Sequence, residues 1–320
     1  MSTLQTSTVP QPASAALPSE RLGGSFLALV GGALAIGFAP IFVRLSEVGP
    51  VSTAVWRVVL AVPVLWTIAA LAPTERPGMS VGGTPAAPPV PVGRFGGWGI
   101  TLAAGLFFAG DLAVWHWSIR FTSVANSTLL ANLAPIVVVL YARFVHGQRA
   151  SRRFVGAMTV AMAGMALLIG RDFRLEGRAL VGDALGVITA VFYAGYLLSI
   201  KALRGRFPTA TIMARTGFLT ALALLPVAAV SGENFWPRTS HGWACVVGLA
   251  LVSHVGGQTL ITYALAKLPA AVASVTLLIQ PVAASLAAAV LLHEPVAWVQ
   301  AVGMAFVLAG VFVARQEGMR

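Results

Sequence analysis

Apolar residues run through this chain in ten long blocks, and polar residues gather in the breaks between them. The blocks lie near 22–43, 51–72, 96–119, 123–144, 154–170, 179–200, 210–230, 243–265, 270–292 and 296–314. A helix that crosses a bilayer needs about 20 apolar residues. The pattern therefore predicts an all-α membrane protein with ten transmembrane helices. Most breaks are short, which makes consecutive helices antiparallel neighbours. The exception is 73–94, rich in Pro and Gly with almost no apolar bulk, which reads as a flexible loop. Residues 1–21 are polar and rich in Ser, Thr, Pro and Ala. They lack the basic and apolar regions of a signal peptide, so a disordered cytoplasmic tail is expected.

Composition agrees with the pattern. Hydrophobic residues make up 58% of the chain and charged ones 10%, against about 45–50% and about 25% in soluble domains. A net charge of +11 would suggest nucleic acid in a soluble protein. Here there is no soluble domain or basic cluster to bind it, and the arginines fall in loops, where they set topology. Even-numbered breaks and the two tails hold 13 Lys and Arg, the odd-numbered breaks 6, and Arg57 and Arg215 lie inside helices. The excess places both termini in the cytoplasm of a cell (inner) membrane. One cysteine, Cys245, excludes an intramolecular disulfide and a cysteine-cluster metal site.

An internal repeat sets the architecture. Pro50 and Arg57 stand seven apart at the start of the second block. Pro208 and Arg215 repeat that spacing 158 positions on. Gly110, Trp117, Pro135, Gln148 and Gly164 recur as Gly256, Tyr263, Pro281, Glu294 and Gly310, 146 positions on. The extra length of the 73–94 loop accounts for the difference. Five helices per copy is an odd number, so the second copy enters the membrane upside down. Two inverted repeats, 22–170 and 171–320, are expected. Transporters of this kind bind substrate near the midplane between their halves.

Polar groups inside the blocks mark the candidate chemistry, because each is expensive at membrane depth without a partner, a wet cavity or a function. Asp111 lies deep in the third block. A proton-coupling acid, a partner for a substrate amine and a structural hydrogen-bonder are all compatible with it. Trp115, four residues on, shares its helix face. Asn126 and Asn132 mark the fourth block, and His254 with Gln258 form an i, i+4 pair in the eighth. Gln280 precedes Pro281. These seven residues, Asp111, Trp115, Asn126, Asn132, His254, Gln258 and Gln280, are expected to line a central cavity or lie one layer from it, with Tyr193, Tyr196 and Tyr263 as possible walls. Arg57 and Arg215 either snorkel to the interface or face the interior as a repeat-related pair. Pro135 and Pro281 free the carbonyls of Ala131 and Leu277, making either passive kinks or hinges. Gly156, Ala163, Gly164, Gly303 and Gly310 read as close helix packing.

Several chemistries lack their motifs. There is no G-x-x-x-x-G-K-[ST] for phosphate, no H-E-x-x-H, since His293-Glu294 is followed by Pro295, and no G-x-S-x-G.

These residues resemble the drug/metabolite transporter superfamily, in particular its ten-helix EamA-type branch. The resemblance rests on Phe38-Ala-Pro-Ile-Phe-Val-Arg44 with Pro50 and Arg57, and on the run from Trp117 through Asn126 to Pro135. In the second half it rests on Tyr263-Ala-Leu, Gln280-Pro281, and Glu294 before Gly303 and Gly310. It covers 22–314. The chain departs at Gln148, where the first repeat of this family usually has a glutamate like Glu294. The resemblance implies secondary transport of a small metabolite, most often export of amino acids, aromatic or otherwise neutral or zwitterionic. Proton-coupled drug, S-adenosylmethionine or nucleoside-type transport is the alternative. Residues 22–43 hold no acid, unlike the small relatives that extrude cationic drugs. An intramembrane enzyme using Asp111, His116 and His254 is the reading from another class. No cofactor, metal or catalytic residue is expected. The expected partners are the metabolite and the lipid bilayer, with a monomer plausible.

Overall fold

A computed structural model of the chain describes residues 19–71, 97–122, 124–169 and 177–318, and all regular structure among them is helical. The first half holds α1 (Ser19–Gly37), α2 (Ala39–Leu45), α3 (Pro50–Val59), α4 (Ala61–Leu71), α5 (Trp98–Phe121), α6 (Val124–Ala131), α7 (Ala134–Val145) and α8 (Arg152–Ile169). The second holds α9 (Arg178–Arg204), α10 (Thr209–Ser231), α11 (Ser240–Gly248), a π-helical segment (Leu249–Gln258), α12 (Thr259–Leu265), α13 (Ala270–Thr276), α14 (Ile279–Leu291) and α15 (Trp298–Gly318). The expected 73–94 loop lies outside the described residues. So does the expected tail, except its last three residues, which begin α1.

Four of the apolar blocks are broken helices, and proline chemistry places each break. Proline has no N–H and its ring clashes with the carbonyl four residues back. Counting back four residues gives Ile36 from Pro40, Val59 from Pro63, Ala131 from Pro135 and Leu277 from Pro281. The preceding helices end at Gly37, Val59, Ala131 and Thr276, each within one residue of that position. The sequence reading named only the last two. One detail is corrected: the Leu277 carbonyl is not left free, because it accepts from the Gln280 backbone N–H at 3.0 Å. In contrast, α10 continues through Pro226 unbroken.

Nine helical stretches among the described residues are long and apolar enough to cross a membrane, from Gly23–Leu45 to Trp298–Glu317. The remaining expected span, 154–170, corresponds to α8, an 18-residue helix that opens on Arg152 and Arg153. It packs lengthwise against α15. Lipid tails are as apolar as leucine, so such helices associate through close packing rather than hydrophobic burial. Here the approach is backbone to backbone: a Cβ on Gly164 would fall 2.6 Å from the Gly303 carbonyl oxygen, and one on Gly303 would fall 2.6 Å from that of Gly164. The perimeter exposes large apolar side chains, among them Leu27, Leu71, Phe144 and Val230, as a lipid-facing surface does.

Polar contacts distinguish two ends of the bundle. At one end the segment 46–49 meets 232–239, and Arg44 meets Glu294. At the other, Ser151 bonds Glu317 at 2.8 Å and the Arg315 guanidinium lies over the Phe26 ring. The first is called here the vestibule face and the second the terminal face.

Candidate functional site

Helices from both halves enclose a cavity of about 150 Å³. From the first half, α3 contributes Arg57, α5 contributes Phe108, Asp111, Trp115 and His116, and the α6–α7 break contributes Asn132. From the second half, α9 contributes Tyr193, the π segment Gln258, and α14 Gln280 and Pro281. A wider space of about 520 Å³ adjoins it and shares the walls Pro40, Val43, Trp115, Thr128, Pro281 and Ala284. Its remaining walls include Arg44, Ile119 and Glu294, so it is a vestibule at the face named for it. The Arg44 guanidinium pairs with the Glu294 carboxylate across this space. At the terminal face the helix ends are tied together. Lys201 Nζ donates to the carbonyls of Leu265 and Leu268 at 2.8 and 2.9 Å. The Arg215 guanidinium rests 5.0 Å from the Trp98 ring centre and 5.1 Å from that of Phe207.

Five of the seven expected residues meet in the cavity: Asp111, Trp115, Asn132, Gln258 and Gln280. Asp111 and Trp115 share it because they are one helical turn apart. The Asn132 Nδ2 donates to the Thr128 carbonyl at 2.7 Å. Its partner in sequence, Asn126, is buried elsewhere, its Nδ2 3.4 Å from Thr122 Oγ1. Six residues of helix separate the two by well over a turn and a half, and the helix break intervenes. His254 lies one layer back, its ring 5.5 Å from that of the cavity residue Phe108.

Of the tyrosines, Tyr193 lines the cavity within hydrogen-bonding reach of Gln280. Tyr196 stacks behind Phe108 at 4.6 Å. Tyr263 is corrected: it is 40% exposed, beneath Lys267 Nζ at 5.5 Å, and forms no wall of either space. Its position near the end of a helix puts the ring at the terminal face. Pro281 borders the cavity, whereas Pro135 is buried in α7 away from it.

Two contributors escaped the sequence. One is Arg57, for which snorkelling and an inward orientation were both open. It is 8% exposed, lines the cavity, and its guanidinium lies 5.8 Å from the Phe108 ring centre. Its repeat mate Arg215 is at the other face. The spacing that relates them was the available signal, and it carried no information about direction. The other is the π segment. Leu249 and Gln258 both line the cavity, yet nine residues of α-helix would put them on opposite faces. Bonding from i to i+5 widens the turn, so that nine residues make about two turns and both side chains face inward. Periodicity analysis at 3.6 residues per turn cannot see this.

Comparison with known proteins places the architecture. The EamA-like transporter family matches the chain twice, over residues 23–170 and 180–316. The chain belongs to that family. Its nine long apolar helical stretches among the described residues fit a multi-pass membrane protein of that family. The pseudopaline exporter CntI of Pseudomonas aeruginosa (strain UCBPP-PA14) is 27% identical over 175 residues, 55% of this chain and 60% of that exporter's length. The transporter YxxF of Bacillus subtilis (strain 168), itself uncharacterized, is 25% identical over 223 residues, 68% of this chain and 70% of the relative. One solved crystal structure superposes with a TM-score of 0.76 at 18% identity, covering 92% of this chain and 98% of that one. At that identity the likeness concerns the fold alone.

Proposed function

We propose that this EamA-type protein exports small amino-acid-like metabolites by alternating access. Its ten helices form two inverted five-helix repeats, 22–170 and 171–320, in the cell membrane with both termini cytoplasmic. The observation that carries this reading is the cavity, which is lined from both halves, carries Arg57, Asp111, Asn132, Gln258 and Gln280 among apolar walls, and adjoins the vestibule. Alternating access needs such a site between two related halves. The twofold family match and the 146- and 158-residue offsets support the repeat. The Lys and Arg asymmetry supports the orientation, in which the vestibule faces away from the cytoplasm. Export is supported by what the Pseudomonas relative is named for.

The substrate reading follows from the walls. Amide groups, a carboxylate and aromatic rings favour a neutral or zwitterionic amino acid, aromatic ones included, with Trp115 available to stack. The enzyme alternative requires Asp111, His116 and His254 to converge. Asp111 and His116 share the cavity but His254 does not border it, which weakens that reading.

The test is uptake by purified protein in liposomes against a panel of labelled amino acids, nucleosides and cationic drugs, with and without a pH gradient. Flux of at least one neutral amino acid above empty liposomes is expected. Flux confined to nucleosides or cationic drugs would replace the amino-acid reading, and no flux of any compound would remove the transport reading.

A further inference from the structure

Arg57 and Asp111 present opposite charges to one cavity, and neither neutralises the other by contact. The ion pairs among the described residues are Arg44–Glu294, Arg120–Glu233 and Arg153–Glu317. Arg57 is buried to more than nine-tenths, and its Nε has no hydrogen-bond partner. The two residues come from adjacent helices, α3 and α5, close enough for each to feel the other's charge. A guanidinium left in this state is costly unless something enters to meet it. The face of Phe108 beneath it offers only a weak cation–π contact, at 5.8 Å.

The neighbouring amides add two further groups. Gln258 Oε1 is a buried acceptor without a partner, and Gln280 Nε2 a buried donor with no well-formed hydrogen bond, the Tyr193 hydroxyl being within reach. Both side chains line the same cavity. The site therefore offers an open donor set, Arg57 with Gln280, and an open acceptor set, Asp111 with Gln258. A carboxylate answers the first, since the guanidinium fork matches its two oxygens. An ammonium group answers the second.

We infer that Arg57 is a specificity-determining residue of this site: it binds the carboxylate of the substrate while Asp111 binds its ammonium group, so that the site selects zwitterions over molecules carrying one pole. This rests on the transport reading above and goes further, because transport of amino acids does not require that both poles be read. A ligand lacking one pole leaves a buried charge unmet, and sites built on polar complementarity reject such analogues strongly.

The experiment measures thermal stabilisation of the detergent-purified protein by three forms of each of the common amino acids: free, C-terminally amidated and N-acetylated. The amide keeps the ammonium group and the acetylated form keeps the carboxylate. For wild type, at least one free amino acid should bind, with both of its blocked forms weaker by about 10-fold or more. In Arg57→Gln the amide should bind within about 2-fold of the free form. In Asp111→Asn the acetylated form should do so. Should Arg57→Gln fail to fold, Arg57→Lys serves, since it keeps the charge but loses the fork; partial loss of discrimination against the amide is then expected. Amides that bind wild type as well as free amino acids overturn the inference, as does full discrimination retained in the Arg57 variants. Amino-acid flux in liposomes together with indifference to amidation would remove this inference alone and leave the transport reading intact. Absence of binding by every free amino acid would remove the inference together with the amino-acid substrate.

Discussion

Glu47 and Glu233 cap each other's helices. Glu233 lies in the segment leading to α11, and its Oε2 accepts from the backbone N–H groups of Val51 and Ser52, at 2.9 and 3.1 Å, in the first turn of α3. Glu47 lies in the segment leading to α3, and its Oε2 accepts from the N–H groups of Arg238 and Thr239, at 2.9 and 3.1 Å, just before α11. The Thr239 hydroxyl also donates to Glu47. A carboxylate satisfies N–H groups that a helix start leaves open and complements its dipole. Exchanging the two acids joins the first and second halves of the chain at the vestibule face. Trp56 reinforces the join, its Nε1 donating to the Phe235 carbonyl at 2.7 Å.

This exchange makes stability depend on pH. The hydrogen bond from Thr239, then that from the Arg238 N–H, hold the Glu47 carboxyl below its ordinary value of 4.5. A depressed folded-state value stabilises the fold fully above 4.5, and the contribution fades as pH falls through that lower value. Melting temperature in detergent should therefore drop more steeply below about pH 4.5 in wild type than in Glu47→Gln. Parallel pH profiles would show that the cap contributes nothing. Glu233→Gln should destabilise at pH 7 by about 1 kcal/mol, the usual worth of a lost cap.

Pro281 borders the cavity at the break between α13 and α14, and Pro135 occupies the corresponding break between α6 and α7. Each sits in the first turn of the later helix, where its missing N–H costs little. Replacing either with Ala should leave the melting temperature nearly unchanged while letting the two half-helices fuse. Transport should slow about 3- to 10-fold if bending at these breaks gates the cavity. Unaltered flux in both variants would make the prolines passive kinks.

The Arg44–Glu294 pair crosses the vestibule between the two halves, with both side chains partly exposed at 63% and 43%. Such a pair contributes about 0–1 kcal/mol, too little to hold the fold but enough to shift a balance between open and closed states. Glu294→Gln should leave melting unchanged. It should raise, about 2- to 5-fold, the rate at which a cysteine placed at Ser285 on the vestibule wall is labelled, in a background where Cys245 is Ser. Equal rates would rule out a gating role.

Gly164 and Gly303 offer the sharpest test of helix packing. A Cβ at either position meets backbone rather than a yielding side chain. Gly164→Leu should separate α8 from α15 and lose folded protein in size-exclusion chromatography, an effect beyond the ~1–3 kcal/mol of ordinary overpacking. Gly156→Leu, where nothing lies within 4 Å, is the control and should fold normally.

Hydropathy along the chain determined that this is a helical membrane protein and where its helices run, because in lipid every backbone polar group must be satisfied within its own segment. That constraint is local, so it can be read locally. Proline positions marked where breaks could fall for the same reason, since the clash reaches only four residues back, although α10 runs unbroken through Pro226. What the chain could not reveal was which way each side chain faces. A residue of helix turns about 100°, so inward and outward differ by rotations that depend on the neighbouring helices. Arg57 and Arg215 share one local pattern, yet one lines the cavity and the other rests on Trp98 and Phe207. Tyr193 and Tyr263 are both intramembrane tyrosines by sequence, and only Tyr193 is a wall. The π segment that turns Leu249 and Gln258 onto one face, and the exchange of caps between Glu47 and Glu233, join positions that no periodicity connects. Those relationships depend on which helices pack together, and only the tertiary structure decided them.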